Sequence, residues 1–148
     1  MKFKKAIQQT AEIADAYRPG LQALREVDRA RIRCAMPRHL TGSIDLDSAL
    51  AETLPNEPRW DYGIGFTAKH NGEQAVWVEV HPASSQSIGD MLRKIEWLKN
   101  WLSNETDSLN KMSKRFVWIS SGKVALTPAS PQRKKIALAG IEFVGETL

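Results

Sequence analysis

Two runs of alternating residues, joined by a short turn, constrain the fold of this chain more than any other feature. Large apolar residues occupy every second position in residues 60–66, and valines do so in residues 76–80. A period of two is typical of a β-strand with two different faces. Asn71-Gly72 lies between the runs, and this dipeptide is typical of a hairpin turn. The sequence therefore predicts an antiparallel β-hairpin.

The register of this hairpin follows from which residues must share a face. A three-residue loop over 70–72 places Tyr62 opposite Val80 and makes one face wholly apolar. A two-residue loop mixes apolar and polar residues on both faces, which register selection disfavours. The three-residue loop also needs a left-handed backbone, for which Gly72 is suited.

On the other face, this register places Asp61 opposite His81 and Glu79 opposite Gly63, with open space expected beside Gly63 and Gly65. A carboxylate pair on adjacent strands suits Mg²⁺, which takes one or two protein carboxylates and keeps waters. His81 would either hold such a water or add a nitrogen ligand, which favours Mn²⁺ or a later metal. An ordinary solvent-exposed strand face gives the same alternation, so the spacing leaves both interpretations open.

Seven further elements follow from the apolar spacing and the turn residues. We predict helices over 2–17, 46–54, 88–102 and 131–139, and strands over 30–34, 115–119 and 141–144. Asp45 or Asp47 is expected to cap the second helix, and residues 87–90 to form a capping box for the third. The order predicts one α/β domain over residues 1–148, with a mixed sheet, a central antiparallel hairpin and helices on both faces.

Length and composition narrow the class of protein. The 148 residues fit one domain, and the lone Cys34 excludes an intrachain disulfide framework or a cysteine-clustered zinc site. No apolar run approaches the roughly 20 residues of a membrane span. The lysines near the start are followed at once by polar residues rather than by an apolar signal segment. We expect a soluble, cytoplasmic protein without a membrane partner.

Charge is distributed unevenly along the chain. The net charge is +4, and no acidic residue occurs between Ser108 and Ile141, where seven lysines and arginines lie. Such a stretch favours a polyanionic partner, most simply nucleic acid. A solvated basic surface without a particular partner explains the same composition.

The order of Asp61, a hairpin, the tripeptide Glu79-Val80-His81 and an amphipathic helix resembles the PD-(D/E)XK nuclease superfamily. Residues 60–102 carry the motif, and residues 2–144 are similar in order to the family's restriction-endonuclease-like αβββαβ core. The resemblance implies a metal-dependent nuclease that acts on DNA and hydrolyses phosphodiester bonds. It also implies that Asp61 and Glu79 hold Mg²⁺ or Mn²⁺.

The chain departs from that motif at one position, because His81 stands where the family has lysine. Histidine can activate a water only when neutral, and its reference pKa is about 6.5. In some relatives the lysine lies on the following helix, where Lys94 is a better candidate than Lys99. The candidate catalytic residues are thus Asp61, Glu79, His81 and Lys94. Glu12 is expected to face outward and to add no further acid.

Six basic residues are candidates for contacts with phosphates, which give affinity but no sequence choice. They are Arg29, Arg31, Arg33, Lys111, Lys114 and Lys123. No separate recognition domain is evident, so sequence specificity would need a homodimer or a protein partner.

A second hypothesis is a nuclease-fold protein that has lost catalysis and binds nucleic acid or a protein. His81 favours it, and Trp97 and Trp101 would then mark a partner surface. A basic nucleic-acid-binding domain of another fold ranks last, because no helix-turn-helix signature is present.

Overall fold

The predicted hairpin lies at the centre of a six-stranded mixed sheet. The computed structural model describes residues 1–32, 34, 36–69, 72–122, 126–145 and 148. The strands are β1 (Arg18–Pro19), β2 (Leu40–Asp45), β3 (Tyr62–Thr67), β4 (Glu73–His81), β5 (Ser113–Ser120) and β6 (Ile141–Gly145). They lie in sequence order across the sheet. Neighbours from β1 to β4 are antiparallel, whereas β4, β5 and β6 are parallel.

Most of the helices cover one face of the sheet. The helices are α1 (Phe3–Gln8), α2 (Glu26–Arg31), α3 (Leu46–Leu50), α4 (Ile88–Glu105), α5 (Asp107–Lys111) and α6 (Pro131–Leu138). In the chain, α4 and α5 lie between the parallel strands β4 and β5, and α6 lies between β5 and β6. Helices α3 and α6 each begin with a side-chain cap, and the Asp45 cap of α3 was predicted. Asp45 accepts a hydrogen bond from the Ser48 N–H at the start of α3, and Ser130 accepts one from the Arg133 N–H at the start of α6.

The two faces of the sheet are covered very differently. The larger core contains Trp77 and Trp118 and the buried residues of α1, α3, α4, α5 and α6. The smaller core contains Tyr62 and Ile64 of β3 together with Leu24 and Ile32, which flank α2 in the sequence. The residues of α2 itself are not buried. The expectation of a single α/β domain with a mixed sheet is therefore confirmed, and helices concentrate on one face.

The hairpin joins the predicted strands, but the predicted register is wrong. Tyr62 pairs with Val78 rather than with Val80, so the strands are shifted by two residues. The connection is longer than predicted, and the Ala68 N–H donates to the Gly72 carbonyl at 2.8 Å. Gly72 is not among the two glycines with positive φ in the described chain, and residues 70–71 lie outside the described residues. A shift of two keeps every side chain on its predicted face.

The amino-terminal third differs most from the prediction. The helix expected over 2–17 ends at Gln8, and a separate 3-10 turn spans Ala11–Ile13. Thr10 separates them in an extended conformation, with its hydroxyl 2.8 Å from that of Thr106. A tertiary hydrogen bond thus takes the place of helical continuation.

The strand predicted over 30–34 is wrong for the described residues, because residues 30 and 31 belong to α2 and residues 32 and 34 belong to no strand. Glu26 and Asp28 lie in the first turn of α2, and Arg29 and Arg31 lie in its last turn, which matches the helix dipole. The actual strand is β2, in which a register shift between Leu40 and Gly42 places Leu40 against the smaller core and Ile44 in the larger one. Tyr17 packs over this strand and donates its hydroxyl to the Thr41 carbonyl at 2.8 Å.

The predicted capping box of α4 is also wrong. Ser87 is in a helical conformation and forms no capping bond, because a 3-10 turn over Ser85–Ser87 leads directly into the helix. Asp90 pairs instead with Arg93 one turn further on. No helix in the described part of the chain is both long and apolar enough to cross a membrane.

Candidate functional site

Asp61 and Glu79, here called the carboxylate pair, meet where β3 begins and β4 ends. The Asp61 N–H donates to Glu79 Oε1 at 3.1 Å, and the Val80 N–H donates to Asp61 Oδ2 at 3.0 Å. The two-residue shift in register therefore places Asp61 beside Glu79, whereas His81 had been predicted opposite it. The two carboxylates lie on one side of the sheet, as the alternation predicted.

Lys94 joins the pair from α4. Its Nζ lies 2.6 Å from Glu79 Oε2, and the Glu79 side chain is 1% exposed. The Lys94 side chain is 22% exposed, so its ammonium remains within reach of solvent. Two strands and the following helix thus bring two acids and one lysine together, the candidates named from the sequence.

Burial and mutual repulsion change the proton affinity of both carboxylates. Burial raises the pKa of Glu79 to about 8, to which the Asp61 charge adds and against which Lys94 acts. Burial also raises the pKa of Asp61 to about 6, opposed by Lys94 and the Val80 N–H. Like charges in a poorly solvated place are unfavourable, so the pair retains about one proton at neutral pH until a cation neutralises it.

Lys94 and His81 respond to the same environment in opposite directions. Burial lowers the pKa of Lys94, but the charges of Glu79 and Asp61 outweigh burial and leave it above its ordinary value. Burial lowers the pKa of His81, and the Lys94 charge lowers it further. At neutral pH Lys94 is therefore a cation, whereas His81 is a neutral imidazole.

His81 lies at the edge of the carboxylate pair. Its Nδ1 is 3.8 Å from Glu79 Oε2, beyond hydrogen-bond distance. Its backbone carbonyl accepts a bond from the Trp118 indole at 2.9 Å, which fixes the chain at the end of β4. The side chain is 23% exposed and is free to contact a water or a substrate.

Asp47 and two arginines form a further group of charges next to Asp61, which the sequence prediction missed. Asp47 Oδ1 accepts from Arg59 Nε at 2.9 Å, and its Oδ2 is 3.5 Å from Arg25. The Asp47 charge also raises the pKa of Asp61. Asp47 lies just after β2, and its N–H donates to the Asp61 carbonyl at 3.3 Å. The sequence analysis did not predict β2, so it could not place Asp47 beside Asp61.

The space expected beside two glycines of β3 is filled. A Cβ at Gly63 would lie 2.7 Å from the Trp77 ring, and one at Gly65 would lie 2.5 Å from Thr41 Oγ1 and 2.7 Å from Phe3 Cβ. These glycines therefore allow the large core to approach the strand closely, and they do not open a cleft.

The predicted phosphate-binding residues are spread over the surface. Arg31 lies at the same end of the sheet as Glu79, since it donates to the Ser121 carbonyl at 2.8 Å. Lys114 lies beside Ala75, four residues before Glu79 along β4, or about 13 Å at the usual strand rise. Lys111 lies at the end of α5, just before β5, and pairs with Asp107. These two lysines are therefore remote from the carboxylate pair.

Arg29 is exposed on α2, while Arg33 and Lys123 lie outside the described residues. The basic stretch is also partly neutralised within the chain. Arg115 makes a bidentate contact with Glu142, at 2.8 and 3.1 Å. The acid-free sequence does not therefore form one continuous basic surface.

The carboxylate pair is the donor set available for a metal ion at this site. No hydrogen bond reaches Asp61 Oδ1 from the described residues, which leaves it available as a ligand. Within the same residues, no group of three or more His, Cys, Asp and Glu side chains is arranged to hold a metal. Two carboxylates are sufficient for Mg²⁺, which keeps several of its waters.

Comparisons of the chain with protein families, with curated proteins and with solved structures give no match.

Proposed function

We propose that this chain is a metal-dependent nuclease-like protein that acts on DNA and hydrolyses phosphodiester bonds. The observation that carries the proposal is the 2.6 Å contact between Lys94 Nζ and Glu79 Oε2, next to Asp61. Two acids and a lysine from a hairpin and the following helix are the set that the resemblance to PD-(D/E)XK nucleases implies.

The order of elements gives independent support. Helix α1 precedes the antiparallel strands β2, β3 and β4, which are followed by α4 and the parallel strand β5. Apart from β1, α2, α3 and α5, this order is similar to the αβββαβ order of the restriction-endonuclease-like core. The carboxylate pair stands at the start of β3 and the end of β4.

Each residue then has a distinct role. Asp61 and Glu79 would hold Mg²⁺ or Mn²⁺. When bound, the ion lowers the pKa of a coordinated water and stabilises negative charge on a phosphate. Lys94 is cationic, so it orients a water or a phosphate oxygen and does not remove a proton. His81 is neutral and can accept a hydrogen bond from the water.

A second candidate is a nuclease-fold protein without catalysis that binds nucleic acid or a protein partner. Two observations favour it. His81 stands in the lysine position of the motif, and the described residues contain no set of three metal-ligating side chains. Mg²⁺ and Mn²⁺ distinguish the candidates, because only the enzyme requires one of them.

Nicking of supercoiled plasmid, with Mg²⁺ or Mn²⁺ and against an EDTA control, tests the proposal. Asp61→Ala and Glu79→Ala should each abolish nicking, because each removes half of the ligand set. Glu96→Ala is the matched control, since Glu96 is an exposed acid on α4 that lines a depression without any of the candidate catalytic residues. Circular dichroism of each variant establishes that the fold is retained.

Nicking that survives Asp61→Ala would show contamination or a different site. His81→Lys restores the lysine of the motif and should raise the rate if only this position limits catalysis. If neither the wild type nor His81→Lys nicks plasmid over a wide range of pH, the non-catalytic candidate is favoured.

A further inference from the structure

A groove of about 380 Å³ lies on the helical side of the molecule, away from the carboxylate pair. It is formed by the second half of α4, the 3-10 turn over Ala11–Ile13 and the chain that follows α3. We call it the acidic groove. None of its lining residues belongs to the charge network around Asp61 and Glu79.

Three carboxylates from three different parts of the chain surround the acidic groove. They belong to Glu12, Glu57 and Glu105, and all three residues are exposed. Among the described residues, no lysine, arginine or histidine lines the groove. Among the described residues, none of the three acids forms an ion pair, although the chain as a whole carries a net charge of +4.

Two indoles of α4 also line the groove. Trp97 and Trp101 stack with their ring centroids 6.1 Å apart and their planes 18° from parallel. Trp101 is 4% exposed, and its indole N–H has no hydrogen-bond partner among the described residues. Trp97 is only half-buried, so it is the indole that a ligand in the groove can reach.

We propose that the acidic groove binds an organic cation, namely an alkylammonium or guanidinium group. Such a cation is attracted to the face of an indole and is neutralised by carboxylates around it. A small hydrated metal ion uses the carboxylates alone and gains little from the indole. Asn100 and Asn104 add amide oxygens that can accept the N–H bonds of the cation.

The same cationic group can come from a polyamine or from a lysine or arginine side chain of another protein. Calorimetric titrations with spermidine and with a short Lys/Arg peptide distinguish these two sources. Binding of spermidine supports a small-molecule source. Binding of the peptide alone, with none of a Gly/Ser peptide of equal length, supports a protein side chain.

Variants then locate the bound cation. Replacing Glu12, Glu57 and Glu105 together by Gln should weaken binding by about tenfold or more, because the groove then loses the negative charges that attract the cation. The three side chains are exposed, so the substitutions leave the core intact. Trp97→Leu should weaken binding by about threefold to tenfold through loss of the indole face. Glu96→Gln is the matched control, since Glu96 is exposed on α4 but lines a different depression.

Failure of both probes to bind at low salt would overturn the proposal. Binding that the triple Gln variant leaves unchanged would do the same, because the cation would then lie elsewhere. The test is independent of nuclease activity, since the variants leave Asp61, Glu79 and Lys94 intact and the titrations contain no DNA.

Discussion

Two groups of carboxylates in this molecule have opposite surroundings. Asp61 and Glu79 are largely buried, accept hydrogen bonds from the backbone and face Lys94. The acids of the acidic groove are exposed, and the described residues offer them no cation. Burial raises the pKa values of the first group, whereas the second group lacks a cationic partner and can therefore bind a cationic ligand.

The comparison shows that carboxylate charge alone does not define a site. Water around an exposed carboxylate screens its charge, so a ligand must bring further contacts such as those of Trp97. A buried pair lacks this screening, and its repulsion is relieved by a proton or by a cation. The first arrangement suits recognition, and the second suits a reactive centre.

The largest expected effect concerns Lys94, the cation that the carboxylate pair has and the acidic groove lacks. If the chain is a nuclease, Lys94→Ala should reduce plasmid nicking by about 10²-fold or more, because the water loses its orienting cation. His81→Ala should have a milder effect, because its side chain lies outside hydrogen-bond distance of Glu79. Initial nicking rates measure both variants.

Lys99→Ala is the control for this prediction. Lys99 lies on the same helix but donates to the Ala139 carbonyl, away from the carboxylate pair. A severe loss of nicking in His81→Ala, together with near-normal nicking by Lys94→Ala, would assign the orientation of the water to His81. Lys94 would then not be what makes the carboxylate pair reactive.

The next effect is the pH dependence of metal affinity at the carboxylate pair. A divalent cation must displace the proton that the pair retains, since the pKa values of Asp61 and Glu79 are raised to about 6 and about 8. Affinity for Mn²⁺ should therefore rise by about tenfold per pH unit between pH 6 and 8, and level off above that range. Calorimetry in buffers of different ionisation enthalpy measures the affinity and the proton release. A pH-independent affinity would show that the pair is already ionised.

A smaller effect is expected on stability. The pKa of Asp61 is higher in the folded chain than in the unfolded one, so the folded state binds its proton more tightly. This destabilises the fold progressively as the pH rises from about 4 to 6. Asp61→Asn should therefore stabilise the metal-free protein by about 1–2 kcal/mol at pH 8 and by little at pH 4. Denaturant unfolding at both pH values measures the difference.

Glu57→Gln provides the contrast from the acidic groove. Because Glu57 is exposed, its replacement should change the free energy of unfolding by less than about 0.5 kcal/mol at either pH. Equal changes in Asp61→Asn and Glu57→Gln would mean that burial does not distinguish the two groups.

The sequence predicted the parts of the fold in which one face of an element is uniformly apolar. The hairpin and α4 follow from such patterns, whereas the start of α6 follows from Ser130-Pro131. The strand β2 could not be predicted, because its backbone is covered by Tyr17 from a distant part of the chain. Local patterns contain no information about such tertiary contacts.

The candidate site shows the same limit. Alternation fixed the shared face of Asp61 and Glu79, but parity cannot distinguish two registers that differ by two residues. Lys94 was named through the resemblance, because some members of the family carry their lysine on the following helix. Asp47 and Arg59 were not, because their positions depend on the corner after β2.

The smallest expected effect compares two basic residues. Arg31 lies at the carboxylate-pair end of the sheet, and Lys111 lies beyond the opposite end. Arg31→Ala should make the negative slope of log affinity against log salt for duplex DNA less steep by about 1, because one phosphate contact is lost. Lys111→Ala should leave the slope unchanged. Fluorescence anisotropy over a range of salt measures both slopes. Equal slopes for the two variants would mean that DNA does not bind preferentially at the carboxylate-pair end.

The edge strand β1 has a consequence for self-association. It consists only of Arg18 and Pro19, and proline has no N–H to donate. A second sheet approaching this edge therefore finds almost no backbone to pair with, while the arginine adds repulsion between copies. This edge resists aggregation through strand addition. Strand addition between copies would have to use the opposite edge of the sheet, along β6.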